Sequence, residues 1–179
     1  MKLWETASTH IASRHEEMAT ASVDSLMTRR LEVCTGSEWY QFPSHYFLPA
    51  EARLQYLEDG FTGILPQHFA AEHGTSATPL QAFNDLNREE PARYLDLAQC
   101  DFLVVLIDRN KPVQETELRA QLLREEGSDT AMFRKVASAQ VISPDYSLSS
   151  LHRAYFIPYQ TPKSVRFQDY VLYERNTKL

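Results

Sequence analysis

Three short stretches of the chain carry the apolar patterns that are typical of β-strands. Residues 31–35 and 53–57 alternate between apolar and polar side chains, as a half-buried strand does. Residues 102–107 form a continuous apolar run between Asp101 and Asp108, rich in β-branched side chains. A short run of this kind predicts a strand that is buried on both faces.

The helical pattern is clearest between Pro112 and Glu126. Proline suits the first turn of a helix, and Gly127 suits its end. A weaker pattern over residues 8–29 predicts an N-terminal helix, in which frequent Ser and Thr reduce the helical propensity. A further helix is predicted over residues 129–139. Its buried face would carry Met132, Phe133 and Val136.

The C-terminal part of the chain is rich in aromatic residues and predicts two strands, over residues 151–159 and 165–175. The connector, residues 160–164, suits a hairpin loop. Residues 61–87 contain several Gly and Pro and little periodicity, which predicts a long surface excursion. Together these elements predict an α+β fold. We expect a mixed or mostly antiparallel sheet with two or three helices, in a single compact domain.

Composition narrows the function classes. The 179 residues are 43% hydrophobic and 23% charged, with a formal net charge of −6. That charge argues against a nucleic-acid partner and against an anionic membrane, because both favour a basic face. No apolar run approaches the roughly 20 residues of a membrane span, and charged residues interrupt any N-terminal signal peptide. Taken alone, these features predict a chain that stays in the cytosol.

The common catalytic and cofactor motifs are absent from the sequence. It contains no Gly-rich nucleotide loop and no nucleophile elbow. Its histidine pairs are five residues apart, whereas a shared helical face needs a spacing of three or four. We therefore expect no metal and no cofactor. The carboxylate pairs Glu89-Glu90 and Glu125-Glu126 are expected to be solvated, because adjacent side chains point in different directions.

An aromatic stretch between Glu38 and Pro49 is the most suggestive chemical feature. It holds five aromatic residues in twelve positions, beginning at Trp39. An aromatic ring beside Glu38 and Gln41 could hold a sugar, which presents apolar C–H faces and hydroxyl edges. On the residue chemistry alone, the simpler interpretation is that these aromatics close the core.

Four blocks, in the same order along the chain, resemble a known family. They are residues 33–49, with Glu-Trp-Tyr-Gln-Phe-Pro; residues 63–66; residues 84–104, with Glu-Glu-Pro-Ala-Arg-Tyr; and residues 151–158. This sequence resembles the C-terminal lumenal region of the dolichyl-phosphate-mannose-dependent α-1,2-mannosyltransferases of N-glycan precursor assembly, in glycosyltransferase family 22. The resemblance covers about residues 31–175. It divides the chain into a helical N-terminal segment, residues 1–30, and a lumenal α+β domain, residues 31–179.

The resemblance implies a multi-pass enzyme of the endoplasmic-reticulum membrane, whose C-terminal domain faces the lumen. Such an enzyme moves mannose from dolichyl-phosphate mannose to a lipid-linked oligosaccharide. The family's catalytic acid belongs to the membrane-embedded part, which no residue here matches. We therefore assign no catalytic residue and expect the isolated chain to be inactive. The chain would be a fragment, the product of an incomplete gene, or a free-standing derivative.

The resemblance also implies partners and contacts. The lipid-linked oligosaccharide, the dolichyl-phosphate mannose donor and the membrane-embedded part of the enzyme are the expected partners, and nucleic acid is not. The candidate glycan-facing residues are Glu38, Trp39, Tyr40, Arg93 and Tyr94. The alternatives are a free-standing, non-catalytic carbohydrate-binding or interaction module and a degenerate chain with structural value only.

The two cysteines, Cys34 and Cys100, remain ambiguous by composition, because they fit either buried free thiols or one disulfide. The lumenal setting that the resemblance implies is oxidising. In that setting a disulfide between Cys34 and Cys100 is as well supported as two free thiols.

Overall fold

A mixed sheet forms the centre of the computed structural model, which describes residues 2–21, 29–36, 47–70, 72–77, 84–108, 117–125, 127, 128 and 130–176. Within those ranges there are four helices and five strands. The helices are α1 (Lys2–Ala21), α2 (Glu117–Glu125), α3 (Ser150–Ala154) and α4 (Thr161–Ser164). The strands are β1 (Leu31–Thr35), β2 (Ala52–Tyr56), β3 (Phe102–Ile107), β4 (Phe133–Ile142) and β5 (Phe167–Arg175).

The strands lie in the order β2-β1-β3-β5-β4. β1 runs parallel to both β2 and β3, whereas β5 runs antiparallel to β3 and to β4. The predicted fold class, an α+β fold around a mixed sheet, is confirmed. β3 has a strand on each side, and five of its six residues are buried. The prediction that residues 102–107 form a strand buried on both faces is therefore also confirmed.

Helices cover both faces of the sheet. On one face, Ala7 and Ile11 of α1 pack with residues of β1, β3 and β5. On the other face, Leu122 of α2 packs with Leu103 of β3 and Tyr173 of β5. Alternate residues of β3 thus enter two different clusters, which is why that strand has no polar face. Each large side chain fully buried in this way contributes roughly 1.5–3 kcal/mol to folding.

The N-terminal helix is also fixed to the sheet by charge. Glu174 of β5 is buried and accepts hydrogen bonds from Arg134 Nη2 at 2.8 Å and from His10 Nε2 at 3.2 Å. Arg14 Nε of α1 lies 3.2 Å from the other carboxylate oxygen. Burial acts to raise the pKa of Glu174, but the hydrogen bonds from Arg134 and His10, together with the charge of Arg14, lower it. The segment outside the family resemblance is therefore packed onto the domain.

The helix predicted over residues 129–139 is wrong, because β4 occupies residues 133–142. A register shift of β4 against β5 between Lys135 and Ala137 leaves Val136 as an extra residue. Phe133 and Val136 pack on opposite faces of the sheet, as residues three apart in a strand do, although the same spacing also suits one face of a helix. Phe133 is buried, but Met132 is exposed rather than buried.

The strand predicted over residues 151–159 and the hairpin loop predicted over residues 160–164 are also wrong. Ser149 caps the short helix α3 by accepting a hydrogen bond from the backbone N–H of His152, and α4 replaces the loop. β4 and β5 pair with each other, so they leave the residues between them without a partner strand. Aromatic β-propensity was therefore not sufficient to make a strand.

The other elements agree with the sequence patterns where the structure describes them. β1, β2, β5 and the C-terminal part of the predicted helix over residues 112–126 are confirmed, and the N-terminal helix begins at Lys2 rather than at residue 8. The described parts of residues 61–87 are irregular apart from one short 3-10 turn, as predicted. No helix in the described ranges is long and apolar enough to cross a membrane.

Candidate functional site

The carboxyl ends of β1, β2, β3 and β4 meet at one edge of the sheet, which we call the carboxyl edge. The pairings show this directly, because Thr35, the last residue of β1, lies opposite Tyr56 of β2 and Val104 of β3. β1 lies between β2 and β3, so the strand that follows it in the chain and the next one lie on opposite sides of it. Ligands of open α/β sheets bind at carboxyl ends where the connections diverge in this way, so this edge is the first place to look for a site.

Tyr94 extends the carboxyl edge beyond β2. It forms a parallel bridge with Tyr56, and the N–H of Leu95 donates to the Tyr56 carbonyl at 2.8 Å. The preceding residues form a 3-10 turn, Pro91–Arg93, because a proline at the first position favours helical backbone there. Arg93 and Tyr94, two of the candidate glycan-facing residues, are therefore brought together at this edge.

Arg93 is tied to its surroundings. Its Nε donates to Glu90 Oε2 at 2.5 Å, and its Nη1 donates to the carbonyl of Leu65. The side chain is only 19% exposed. The hydrogen bond that Asn84 donates to Glu90 lowers the pKa of that carboxyl group, and Arg93 acts in the same direction against partial desolvation. Glu90 is thus held ionised and serves as an anchor for Arg93.

The Tyr94 hydroxyl lies 2.7 Å from Glu89 Oε1 and 2.8 Å from the carbonyl oxygen of Phe61. Desolvation, followed by the hydrogen bond and charge of Glu89 and by the charge of Glu58, raises the pKa of Tyr94 to about 12. Tyr94 is therefore a neutral phenol at physiological pH. Such a group donates or accepts hydrogen bonds but is a poor general base.

Glu89 and Glu90 do not act as a carboxylate pair in this arrangement. Glu89 contacts the Tyr94 hydroxyl, whereas Glu90 contacts Asn84 and Arg93. Their different partners agree with the expectation that adjacent side chains point apart. The residues from Asn84 to Tyr94 therefore hold the excursion after β2 against the sheet and form a polar surface rather than an acid–base pair.

The remaining glycan-facing candidates, Glu38, Trp39 and Tyr40, lie outside the described residues. The described chain before them ends at Gly36, immediately after β1 at the carboxyl edge. A Cβ atom at Gly36 would lie 2.3 Å from Asp59 Oδ2, closer than atoms can approach. Only glycine leaves room for that carboxylate.

Asp59 belongs to a buried ion pair that the sequence analysis missed. Its Oδ2 lies 2.8 Å from Arg119 Nη2 of α2, and the two side chains are 0% and 6% exposed. Buried ion pairs of this kind are costly to disrupt, because either partner alone is left as a desolvated charge. The pair therefore fixes α2 and the turn after β2 beside the point where the chain leaves β1.

A second buried carboxylate, Asp108, follows β3 at the same edge and accepts a hydrogen bond from Ser143 Oγ at 3.2 Å. Buried Thr35 Oγ1 has no hydrogen-bond partner within the part of the chain that the structure describes. The carboxyl edge thus concentrates buried polar groups. Only their positions directly after predicted strands could have indicated this from the sequence.

The opposite edge of the sheet contains a charged cavity of about 440 Å³, but its polar groups hold the fold together. Asp101 accepts from Arg29 at 2.5 Å and from the N–H of Glu32 at 2.8 Å. Arg175 Nε donates to the carbonyl of Cys100 at 2.6 Å. These contacts join the beginnings of β1 and β3 to the end of β5, which leaves the carboxyl edge as the better candidate.

The two cysteines meet in the hydrophobic cluster beneath α2. Cys34 of β1 and Cys100, which precedes β3, are joined by an S–S bond in the structure, with their Cα atoms 5.8 Å apart. Both residues are fully buried. This cross-link joins neighbouring strands whose carboxyl ends form the candidate site.

Comparison with known proteins identifies several relatives, all of which are named alpha-1,2-mannosyltransferases. The alpha-1,2-mannosyltransferase ALG9 of Mus musculus is 34% identical over 145 residues, which cover 80% of this chain and 22% of the relative. The corresponding protein of Schizosaccharomyces pombe is 42% identical over 81 residues, covering 41% of this chain and 14% of the relative. That of Saccharomyces cerevisiae is 26% identical over 92% of this chain.

No family model matches the chain, and no solved structure is significantly similar to it. The chain spans about one fifth of the length of the first of these relatives. The expected family resemblance is nevertheless confirmed by several relatives, each matched over most of this chain. This chain is a homologue of the ALG9-type α-1,2-mannosyltransferases, aligned with about one fifth of their length.

Proposed function

We propose that this chain is the C-terminal, lumenal domain of an endoplasmic-reticulum α-1,2-mannosyltransferase of N-glycosylation. The enzyme would transfer mannose from dolichyl-phosphate mannose to a lipid-linked oligosaccharide, with the reacting groups in its membrane-embedded part. The observation that carries this proposal is the match of 80% of the chain to proteins named α-1,2-mannosyltransferases. The limited share of those proteins that the chain covers supports a domain role.

Within that enzyme, the carboxyl edge would contact the acceptor glycan. Arg93 and Tyr94 are held there by Glu90 and Glu89, so a ligand would meet groups that are already ordered. The Tyr94 hydroxyl donates its single proton to Glu89 or to the Phe61 carbonyl, which leaves its oxygen to accept a hydrogen bond from a sugar hydroxyl. The block that begins after Gly36 carries Glu38, Trp39 and Tyr40, and an aromatic ring there suits the C–H face of mannose.

A glycan titration tests this role on the chain itself. We expect a mannose-rich oligosaccharide to bind with a dissociation constant in the high-micromolar to millimolar range, as a few hydrogen bonds and one stacked ring permit. Trp39→Ala should weaken binding about tenfold or more, because an aromatic contact is lost. Met132→Ala is the control, because Met132 is exposed and precedes β4 at the opposite edge.

Two results would contradict the proposal. Absence of binding by a Trp4→Phe variant, whose remaining tryptophan fluorescence from Trp39 is quenched by an aqueous quencher, would show an exposed ring that does not recognise glycan. Mannosyl transfer by the isolated chain would show that the reacting groups are in this chain. We expect no transfer.

The alternative is a free-standing carbohydrate-binding or interaction module. It is supported by the packing, because helices of this same chain cover both faces of the sheet and bury its apolar residues. The module alternative predicts glycan binding by the chain with no contribution to mannosyl transfer when it is placed in a complete enzyme. The mannosyltransferase proposal predicts both.

A further inference from the structure

The connection between β4 and β5 carries a concentration of exposed apolar side chains. Among the residues that the structure describes, seven of the eleven exposed large hydrophobic side chains lie between residues 146 and 167. We call this segment the aromatic connection. Its exposed apolar residues are Tyr146, Leu148, Leu151, Tyr155, Phe156, Tyr159 and Phe167. Scattered single apolar residues are normal on a surface, whereas this concentration within one connection is typical of an interaction site.

Hydrogen bonds hold the aromatic connection in a defined shape. The N–H of Leu148 donates to the Ser164 carbonyl at 2.8 Å, and the N–H of Ile157 donates to Thr161 Oγ1 at 2.7 Å. Ser164 Oγ donates to the Gln160 carbonyl at 2.8 Å. The exposed rings are therefore presented by an ordered scaffold.

Tyr159 shows this most clearly, because it is 84% exposed and its backbone has a φ of 64°. That left-handed region disfavours bulky side chains and costs of order 1 kcal/mol or more. The fold thus maintains a strained backbone at a position where a large aromatic ring faces solvent. No packing within the described chain accounts for a tyrosine at this position.

The charge of the aromatic connection is opposite to that of the whole chain. Residues 146–167 contain Arg153, Lys163 and Arg166 and no Asp or Glu, whereas the complete chain has a net charge of −6. All three basic residues are exposed. The acidic residues nearest to the segment along the sequence are Asp145 and Asp169. The net charge that argues against an anionic membrane is therefore unevenly distributed, and this segment is locally basic.

We propose that the aromatic connection docks on the surface of a phospholipid bilayer that contains anionic lipids. Tyrosine rings favour the membrane–water interface, and Phe and Leu side chains favour the acyl boundary beneath it. Exposed Arg and Lys side chains reach lipid phosphates, with roughly 1 kcal/mol from each basic residue at an anionic surface. This attachment concerns the chain itself and does not depend on a role in mannosyl transfer.

Vesicle flotation tests the proposal directly. We expect the chain to float with phosphatidylcholine vesicles that contain about one third phosphatidylserine. The triple variant Tyr155→Ser/Phe156→Ser/Tyr159→Ser should bind at least about tenfold more weakly, because the apolar anchors are removed. Phe69→Ser is the matched control, since Phe69 is an exposed aromatic outside the segment and its loss should leave binding unchanged.

A charge-reversal variant tests the contribution of the basic residues to vesicle binding. Arg153→Glu/Lys163→Glu should weaken binding to the anionic vesicles about tenfold or more and have little effect on the weaker binding to pure phosphatidylcholine. Equal urea midpoints of the variants and the unmodified chain would establish that folding is unchanged, as exposed positions predict.

Three outcomes would overturn the proposal. They are failure of the unmodified chain to float, equal binding of the triple variant and Phe69→Ser, and self-association in the absence of lipid that the triple variant abolishes. The last would assign the aromatic connection to a contact between copies of the chain. None of these results bears on glycan binding by the carboxyl edge, so the two proposals can fail separately.

Discussion

Replacement of Arg119 by methionine is the sharpest test of how the carboxyl edge is held. Methionine keeps much of the length and apolar stem of arginine but removes the guanidinium group. Asp59, whose side chain is 0% exposed, would then lose the cation 2.8 Å from its carboxylate oxygen. Arg119→Met should therefore leave a desolvated carboxylate between α2 and the turn after β2.

The magnitude follows from the geometry. Unit charges about 3–4 Å apart attract by about 4–6 kcal/mol at an effective dielectric constant of about 20. Breaking a buried pair from one side costs about 3–5 kcal/mol in practice. Domains of this kind have a total unfolding free energy of roughly 5–15 kcal/mol. Arg119→Met should therefore remove a large part of the stability of the chain.

Urea unfolding of the disulfide-intact protein measures the effect. Arg124→Met is the matched control, because Arg124 is an exposed residue of the same helix and its loss should change the free energy by about 0.5 kcal/mol or less. In a double-mutant cycle with Asp59→Asn, the coupling should be about 1–3 kcal/mol. A loss below about 1 kcal/mol for Arg119→Met, with additive single effects, would refute the reasoning.

Three further predictions concern the scaffold around this edge. Gly36→Ala should destabilise by about 1–3 kcal/mol in the same urea assay, because its Cβ would overlap Asp59; an unchanged midpoint would contradict this. Denatured, non-reduced protein should contain no free thiol, and Cys100→Ser with Cys34→Ser should cost about 4 kcal/mol for this long loop; two free thiols in the unmodified chain would show that the bond does not form. Glu174→Gln should destabilise at neutral pH, where the lowered pKa keeps the native carboxylate charged, and the difference should shrink as the pH falls below about 4.5; a constant difference would exclude an ionised Glu174 as its source.

The strands that depend on local pattern alone were predictable. The run over residues 102–107 is apolar at successive positions because β3 has neighbouring strands on both sides and helices on both faces. β2, at the end of the strand order, alternates in burial over its last three residues, with Leu54 and Tyr56 buried and Gln55 half-buried. β1 has a strand on each side, so four of its five residues are buried and its burial does not follow the alternation of its sequence.

The errors arose where strand pairing, rather than local spacing, decided the element. Phe133 and Val136 lie on opposite faces of the sheet although their spacing also suits one face of a helix, and the apolar residues of the aromatic connection had no partner strand. Neither fact is visible in a window of ten residues. Both follow from β4 pairing with β5 across a connection of more than twenty residues.

The candidate site was predictable only in part. Arg93 and Tyr94 were found through a family resemblance, and the structure adds their anchors, Glu90 and Glu89. The ion pair of Asp59 with Arg119 was missed because nothing in the sequence connects residues so far apart. Their proximity results from α2 packing over the sheet, which depends on the whole fold.

The most direct test of the central claim is exchange of this chain into a complete relative. The matching fifth of the Mus musculus α-1,2-mannosyltransferase ALG9 would be replaced by this chain, and mannosyl transfer to a lipid-linked acceptor would be measured in membranes that lack the native enzyme. We predict transfer by the chimaera and none by the enzyme from which that fifth is deleted. An intact, membrane-inserted chimaera that transfers no mannose would contradict the claim that this chain serves as the C-terminal domain of such an enzyme.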